Sequence, residues 1–293
     1  MHFIVAAWAA SVLYAFGSVA GKLAAKHHIN NPWLYNFAWA VVTLVCTLPI
    51  ALWHHVGFPQ DWPSMWWLAL ANAVSGVMYI LALYEIDVSV IGPLYNLRTP
   101  VLLLAGTLIY NEVLYPYQWI AISVLILAGL VVNIDEKLSL RSLFNKRTLL
   151  GLVAVLTSAW FNGTIKYTSQ HNGYWEVLLW STVLGIIFLL PTIPLFYKDV
   201  KKTRANRYTG LVISTVLFTV GFLFEVMAVA QNVSISMAIV SLPVSMLIAV
   251  GFSVFAPQLL EKHTAKVYAL RLGAAAVMVA SALVLSCELF PND

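Results

Sequence analysis

The chain has 293 residues, of which 61% are hydrophobic and only 10% are charged, and its mean hydropathy is +0.85. Soluble domains contain roughly 45–50% apolar and about 25% charged residues, and their interiors are too small to bury this much apolar surface. The composition therefore excludes an ordinary soluble domain and indicates a polytopic membrane protein.

Apolar runs follow one another along the chain, separated by short polar or proline-containing breaks. The length of each run is close to that of a helix of about 20 residues, which is what crosses the roughly 30 Å hydrocarbon core of a bilayer. The runs are too long for barrel strands and show no alternation, so we predict an all-α membrane protein with ten transmembrane helices. The runs comprise residues 3–25, 33–53, 63–83, 88–110, 116–134, 148–169, 174–196, 208–230, 234–256 and 266–287.

The basic residues between the runs predict the orientation of the chain. Every Lys and Arg outside the runs falls in or beside an odd-numbered connection, whereas the even-numbered connections and both tails contain none. The positive-inside rule then places the odd-numbered connections in the cytoplasm and both termini outside. We expect an integral multi-pass protein of the plasma (inner) membrane, whose basic cytoplasmic face contacts anionic membrane lipid.

The two halves of the chain resemble each other. Ser11–Val19 aligns with Thr157–Ile165 at a shift of 146 residues. This alignment places Gly17 over Gly163, and the spacing from Gly17 to Gly21 permits close helix contact. We therefore predict two five-helix repeats joined by a cytoplasmic loop, with the boundaries 1–135, 136–147 and 148–293.

An odd number of crossings per repeat turns the second repeat upside down relative to the first. Inverted repeats are a recurrent plan of secondary transporters, in which the substrate site lies near the membrane midplane at the repeat interface. The sequence therefore favours a secondary active transporter that works by alternating access. A non-transporting receptor or subunit on the same scaffold and a membrane-embedded enzyme are the alternatives, and we expect no enzyme because no catalytic cluster is evident.

The stretch Ala82–Leu114, ALYEIDVSVIGPLYNLRTPVLLLAGTLIYNEVL, places Pro100 inside a helix and Glu112 before a short turn. In the second half, Gln258 stands where Glu112 would fall. With the five-plus-five plan, this stretch resembles the EamA-like branch of the drug/metabolite transporter superfamily. The resemblance implies a carrier of amino acids, their analogues, sugars or other small metabolites, in either direction. We expect an amino acid or a related zwitterion first.

Arg98 lies about ten residues into the fourth run, between Pro93 and Pro100, which favour a kinked helix beside a cavity. Ionisable side chains at this depth cost on the order of 3 kcal/mol and are functional candidates by default. We interpret Arg98 as a fork for a substrate carboxylate or phosphate. The alternative is a structural arginine that is satisfied by backbone carbonyls or by an acid on another helix.

Glu225 is the only acid well inside an apolar run. It is a candidate for proton coupling or for binding a substrate amine, and the alternative is a neutral or Arg98-paired core acid. Its depth differs from that of Arg98 by roughly seven residues, or ~10 Å, so the two pair only if both side chains reach.

Polar and aromatic side chains near the repeat-matched segments complete the predicted pocket, with packing as the alternative for each aromatic residue. Two lysines, Lys22 and Lys166, lie near helix ends, where we expect the stems to snorkel to the interface, with a gating or anion-binding role left open. The pocket residues are Tyr14, Tyr79, Tyr95, Asn96, Trp160 and Asn162.

Several chemistries find no sequence support. All seven histidines lie at tails or connections, so we expect no metal or haem site and no cofactor. No G-x-x-x-x-G-K-[ST] loop is present, so we expect no ATP-driven transport, whereas proton coupling stays open. The expected partners are a small-molecule substrate and membrane lipid, with no nucleic acid, and the expected assembly is a monomer or a homodimer.

Overall fold

The structure is a computed structural model that describes residues 2–86, 94–95, 98–132, 146–242, 244, 248 and 265–287. Within these residues all regular secondary structure is helical, and no strand occurs. The predicted all-α class is therefore confirmed for this part of the chain. Most of the predicted loop 136–147 lies outside the described residues.

The helices of the first half follow the predicted runs closely. Helix α2 begins with an N-cap. The Asn31 side chain accepts hydrogen bonds from the backbone N–H groups of Trp33 and Leu34, and Pro32 occupies the first turn. The helices are α1 (Phe3–His27), α2 (Pro32–Trp53), α3 (Trp62–Glu85), α4 (Arg98–Leu108) and α5 (Pro116–Val132).

The second half contains two interruptions. After α7 the chain tightens into a 3-10 turn, Leu190–Leu195, because Pro191 and Pro194 cannot donate α-helical hydrogen bonds. A one-turn helix and a second 3-10 turn follow before α8 begins. The helices are α6 (Lys146–Asn172), α7 (Tyr174–Leu189), α8 (Thr209–Val229), α9 (Val233–Val240) and α10 (Ala265–Cys287).

Six helices of the described residues are long and apolar enough to cross a membrane: α1, α2, α3, α6, α7 and α8. Shorter apolar helices occur at Arg98–Leu108, Pro116–Ala128 and Leu272–Val284. The protein is thus a multi-pass membrane protein, and the count of ten crossings stays a prediction. The apolar run 234–256 does not form one uninterrupted helix, since α9 ends at Val240, before the conformationally restrictive Pro243.

The closest helix packing joins the two halves. α1 packs along α8, where the Ser214 hydroxyl donates to the Gly17 carbonyl at 2.8 Å. A Cβ atom at Gly17 would lie 2.6 Å from the Phe218 ring, and one at Gly221 would lie 2.7 Å from the Tyr14 ring. The glycines therefore allow the two backbones to approach, as the Gly17–Gly21 spacing predicts.

The other helix contacts follow an exchange pattern between the halves. α3 packs on α6, as α1 packs on α8. Two further pairs of contacts correspond in the same way. The contact of α2 with α8 matches the contact of α3 with α7, and the contact of α1 with α9 matches the contact of α4 with α6. α2 also contacts α7, α4 contacts α9, and α5 contacts α10. Each of these contacts is converted into itself or into another of them when each helix of the first half is exchanged for its counterpart in the second, whereas the contacts of α6 with α7, α8 with α9 and α9 with α10 have no comparable counterpart among the described residues.

Candidate functional site

A cavity of about 240 Å³ lies among the helices of both halves. Helices α1, α2 and α3 of the first half and α6, α7 and α8 of the second half contribute to its wall, together with Arg98 at the start of α4 and the end of α9. Polar side chains line part of the cavity where these helices meet. They include Ser11, Tyr14, Ser18, Asn36, Thr43, Asn72, Ser75, Tyr79, Tyr95, Arg98, Ser158, Asn162, Thr182, Thr219, Glu225 and Ser241.

Arg98 lines this cavity and is 7% exposed. Its Nε atom donates to the Ser241 hydroxyl at 3.1 Å, and its Nη1 atom donates to the Ser158 hydroxyl at 3.2 Å. The guanidinium carbon also lies 5.6 Å from the centre of the Tyr95 ring. Both hydroxyl partners belong to the second half, and neither neutralises the charge of Arg98.

Glu225 lines the same cavity and is 3% exposed. Its Oε2 atom accepts a short hydrogen bond from the Tyr14 hydroxyl of the first half. In the described part of the chain no ion pair of 4.0 Å or less joins Glu225 to Arg98, although the two charges are near enough to interact electrostatically.

Four buried polar atoms on the cavity wall have no hydrogen-bond partner among the described residues: Ser11 Oγ, Tyr95 Oη, Asn162 Nδ2 and Glu225 Oε1. A buried polar group without a partner costs about 1–3 kcal/mol, so water or a ligand is expected to satisfy these atoms. The cavity therefore offers two hydroxyls, an amide donor and a carboxylate oxygen to an occupant, beside the unneutralised Arg98.

An aromatic wall adjoins these polar groups. Tyr14 and Trp39 both pack against Phe218, with ring centroids 5.1 Å and 4.7 Å away, and Tyr79 packs edge-on against Tyr95 at 5.6 Å. All five rings line the cavity. Tyr14, Tyr79 and Tyr95 are predicted from the sequence as pocket residues, whereas Trp39 and Phe218 are not, because nothing in an apolar run distinguishes an aromatic residue that lines a cavity from one that packs between helices.

One predicted pocket residue, Trp160, lies elsewhere, and another is not described by the structure. Trp160 is not part of the cavity wall, and its ring packs edge-on against Trp67 with the centroids 5.0 Å apart. Its neighbour Asn162 does line the cavity, because two positions along a helix turn the side chain by roughly 200°. Asn96 lies outside the described residues.

The expected snorkelling of the two lysines is wrong, because both are buried and bonded inside the protein. Lys22 is 7% exposed and its Nζ atom donates to the carbonyls of Leu83 and Ile86 at the end of α3, both at 2.8 Å. Lys166 is 8% exposed and its Nζ atom lies 2.7 Å from Glu112 Oε1. Because each lysine lies near a helix end, we predicted that its ammonium group reaches the membrane interface. Neighbouring segments of the protein cover both of these helix ends instead.

The sequence analysis also missed Ser158 and Ser241, the partners of Arg98. Two further residues that line the cavity, Asn36 and Asn72, could have been predicted from the sequence, because an amide side chain inside an apolar run is unusual. Among the described residues, no group of three or more His, Cys, Asp or Glu side chains lies together that could hold a metal ion.

These features define an integral multi-pass membrane protein with a polar cavity between its two halves. Residues 2–134 match the family model described as the EamA-like transporter family. This match over the first half of the chain confirms the resemblance to the EamA-like branch of the drug/metabolite transporter superfamily that was drawn from Ala82–Leu114. Members of this family are transporters rather than enzymes.

The fold also has relatives among solved structures, of which 28 chains match. One is the crystal structure of a protein that superposes on 97% of this chain and 97% of its own length, with a TM-score of 0.71 and 13% sequence identity. At that identity the likeness concerns the fold alone. No curated protein matches the sequence significantly.

Proposed function

We propose that the protein is a secondary active transporter that moves a small zwitterion, such as an amino acid, by alternating access around the central cavity. The observation that carries this proposal is that the cavity wall holds one basic and one acidic side chain, each contributed by one half of the chain and hydrogen-bonded by the other. Arg98 comes from the first half and is held by hydroxyls of the second, whereas Glu225 comes from the second half and is held by Tyr14 of the first. A site shared in this way is remodelled whenever the halves move against each other.

The chemistry of the wall suits a zwitterion. Arg98 presents a guanidinium, the preferred partner of a carboxylate, without an acidic partner of its own. Glu225 Oε1 is the matching acceptor for an ammonium group or a proton. The cavity of about 240 Å³ is smaller than typical ligand pockets, which span roughly 300–1,000 Å³, and so favours a small metabolite.

Inverted five-helix repeats are part of this proposal. The exchange pattern of the helix contacts supports them, and so do two asparagine links at opposite ends of the molecule. Asn31, before α2, donates to Asp199 Oδ2 at 2.7 Å in the segment that precedes α8. Asn172, before α7, accepts from the Asp61 backbone N–H at 2.8 Å at the start of α3. The two links correspond when the halves are exchanged.

The orientation follows from the charge distribution and is proposed on that basis. The odd-numbered connections, which hold the basic residues, lie in the cytoplasm, and both termini lie outside the plasma (inner) membrane. In this orientation the Asn31 link lies on the inner side and the Asn172 link on the outer side.

Exchange of radiolabelled amino acids tests the proposal in proteoliposomes that are preloaded with a mixture of the standard amino acids. Arg98→Ala is expected to reduce exchange by about 10- to 100-fold, because a hydrogen bond to a charged group is worth roughly 1.5–3 kcal/mol. Arg204→Ala, in an exposed cytoplasmic connection, is the matched control and retains the activity. Binding without exchange in the wild-type protein would instead indicate a receptor or subunit.

Glu225→Gln separates the two roles of that side chain in the same assay. Loss of pH-gradient-driven accumulation with retained exchange assigns the proton to Glu225. Loss of both assigns the substrate ammonium to it. Normal accumulation and exchange in both Arg98→Ala and Glu225→Gln would contradict the proposed site.

A further inference from the structure

A second buried charge cluster lies away from the cavity, between the connection that follows α4 and the C-terminal part of α6. Lys166 Nζ and Glu112 Oε1 are 2.7 Å apart, and their side chains are 10% and 5% exposed. The Lys166 ammonium also lies 5.3 Å from the centre of the Tyr110 ring, whose hydroxyl donates to the Gly163 carbonyl. The connection Ile109–Tyr115 is thereby attached to α6 by an ion pair and a hydrogen bond.

The same carboxylate holds the beginning of α9. Glu112 Oε1 accepts from the Val233 N–H at 2.7 Å, and Oε2 accepts from the Ser234 N–H at 3.0 Å and from the Ser234 hydroxyl at 2.6 Å. A carboxylate is favourable at this end of a helix, where the backbone N–H groups carry partial positive charge. Glu112 therefore joins its own connection in the first half to two helices of the second half.

The cluster is built closely. The place where a Cβ on Gly106 would lie is occupied by the Ser234 hydroxyl and the Glu112 carboxylate. Burial raises the pKa of Glu112, but the hydrogen bonds from Lys166, Ser234 and Val233 outweigh it and hold that pKa below its ordinary value. The carboxylate is thus ionised at neutral pH and the ion pair is complete.

Helix α9 connects this cluster to the cavity. All eight of its residues are buried, and its C-cap is Ser241, whose hydroxyl accepts from Arg98. Eight helical residues span about 12 Å. Glu112 and Arg98 consequently hold opposite ends of one short, rigid helix.

The corresponding lysine at the other end of the molecule has a different partner. Lys22 donates to the main-chain carbonyls of Leu83 and Ile86, which belong to its own half. In the sequence alignment of the halves, Gln258 replaces Glu112. An amide carries no charge, so the sequence of the second half does not repeat the carboxylate of Glu112 at this position.

We propose that the Glu112–Lys166 pair is a lock, which keeps the cavity closed on the side of the Ile109–Tyr115 connection and favours the conformation that opens on the opposite side. This inference rests on the proposed transport function. Opening on the locked side requires the connection to leave α6 and α9, which breaks the ion pair and the three hydrogen bonds of Glu112. Arg98 is also hydrogen-bonded to Ser241 at the C-terminal end of α9. An anion that binds Arg98 therefore changes the contacts at the opposite end of the helix that Glu112 caps.

Thiol labelling from the two sides of the membrane tests the lock. Ser11→Cys is the reporter in a Cys46→Ala, Cys287→Ala background, because Ser11 lines the cavity in the half of α1 that precedes Tyr14. The reagent is a membrane-impermeant trimethylammonium methanethiosulfonate, applied to intact cells and to inverted vesicles. The rates are expected to rise about tenfold or more from the locked side in Glu112→Gln, with a fall from the other side.

Glu176→Gln, an equivalent loss of a carboxylate in the first turn of α7, is the control and leaves both rates unchanged. Lys166→Met removes the ion pair while Glu112 still caps α9, so it is expected to change the rates in the same direction but less. If Glu112→Gln fails to fold by gel filtration, Lys166→Met alone decides.

Unchanged rates in the folded variants overturn the lock. The labelling requires no transported solute, so its outcome is separate from that of the exchange assay. Arg98-dependent exchange with unchanged labelling rejects the lock and leaves the transporter proposal standing. Altered labelling in a protein that exchanges no solute rejects the transport function.

Discussion

The two buried cations Arg98 and Lys166 differ in how their charge is satisfied. Lys166 faces the Glu112 carboxylate at 2.7 Å, so its charge is neutralised within the protein. Arg98 has hydroxyl partners, which orient the guanidinium but leave its charge available. A fixed side chain loses less conformational entropy when a ligand binds, and a charge without a counter-ion attracts an anion more strongly. Arg98 is therefore the better candidate for substrate binding.

The hydroxyls that orient Arg98 can be tested singly. Ser158→Ala removes the acceptor for Nη1 but leaves the charge and the Ser241 bond in place. We expect KM in the exchange assay to rise about 2- to 10-fold, since a typical hydrogen bond contributes roughly 0.5–1.5 kcal/mol. Thr157→Ala is the matched control, because its hydroxyl donates to carbonyls of its own helix. Equal KM values in the two variants would contradict an orienting role for Ser158.

The charged residues of the site were predictable, but their partners were not. Arg98 and Glu225 stand out because a charge inside an apolar run is expensive and therefore rare. Ser158 and Ser241 are two of many hydroxyls in apolar helices, and only the packing of α6 and α9 around α4 brings these two to the guanidinium. Lys166 was misjudged for the same reason, since its partner is 54 residues away in the sequence.

At the scale of elements, the contact between α1 and α8 decides how closely the halves pack around the cavity. Gly17 lies against the Phe218 ring, which is itself fixed by Tyr14 and Trp39. Its repeat counterpart Gly163 is much less crowded, because a Cβ there would have Leu102 as its neighbour at 3.6 Å, an ordinary contact distance. The duplicated sequence thus places equivalent glycines in unequal surroundings.

Matched alanine substitutions exploit this inequality. Gly17→Ala is expected to lower the free energy of unfolding, because overpacking costs about 1–3 kcal/mol and exceeds the roughly 0.5–1 kcal/mol that alanine gains over glycine in a helix. Gly163→Ala meets no such clash and is expected to be neutral or slightly stabilising. Thermal unfolding of the purified variants in detergent measures both. A lower Tm for Gly163→Ala than for Gly17→Ala would contradict the packing described here.

Hydropathy predicted where helices lie but not where they are interrupted. The runs that contain α1, α2, α3, α6, α7 and α8 correspond to helices long enough to cross a membrane. The run 234–256 is as apolar as these, yet α9 ends at Val240. Hydropathy registers composition, whereas a helix end depends on backbone geometry, for which Pro243 was the available signal.

At the scale of the whole molecule, the number of crossings is the property that the alternating-access proposal needs most. Inverted repeats require an odd number of crossings in each half, here five, and an even number would make the repeats parallel. The described part of α4, Arg98–Leu108, has 11 residues and spans about 16 Å, well short of a roughly 30 Å hydrocarbon core. Whether the chain crosses the membrane between α3 and α5 therefore determines the symmetry of the molecule.

A cysteine in the connection after α4 decides this question, because its side of the membrane changes with the crossing. Two control sites are Gly57→Cys, before α3, and Asn206→Cys, before α8. With ten crossings, the first cysteine is labelled from the outside of the cell and the second from the inside. These two sites remain on opposite sides even if α4 and α5 both fail to cross, because removing two crossings preserves parity. Val113→Cys, whose native side chain is 85% exposed, is the informative site.

With ten crossings, a membrane-impermeant maleimide labels Val113→Cys in intact cells, as it labels Gly57→Cys, in the Cys46→Ala, Cys287→Ala background. If the region between α3 and α6 does not cross, Val113→Cys labels only after permeabilisation, as Asn206→Cys does. That result would leave the first half with three crossings against five predicted for the second, so the halves would no longer be equivalent units that can be exchanged. Labelling from outside instead places Glu112 and Lys166 on the outer side, where the lock is required to act.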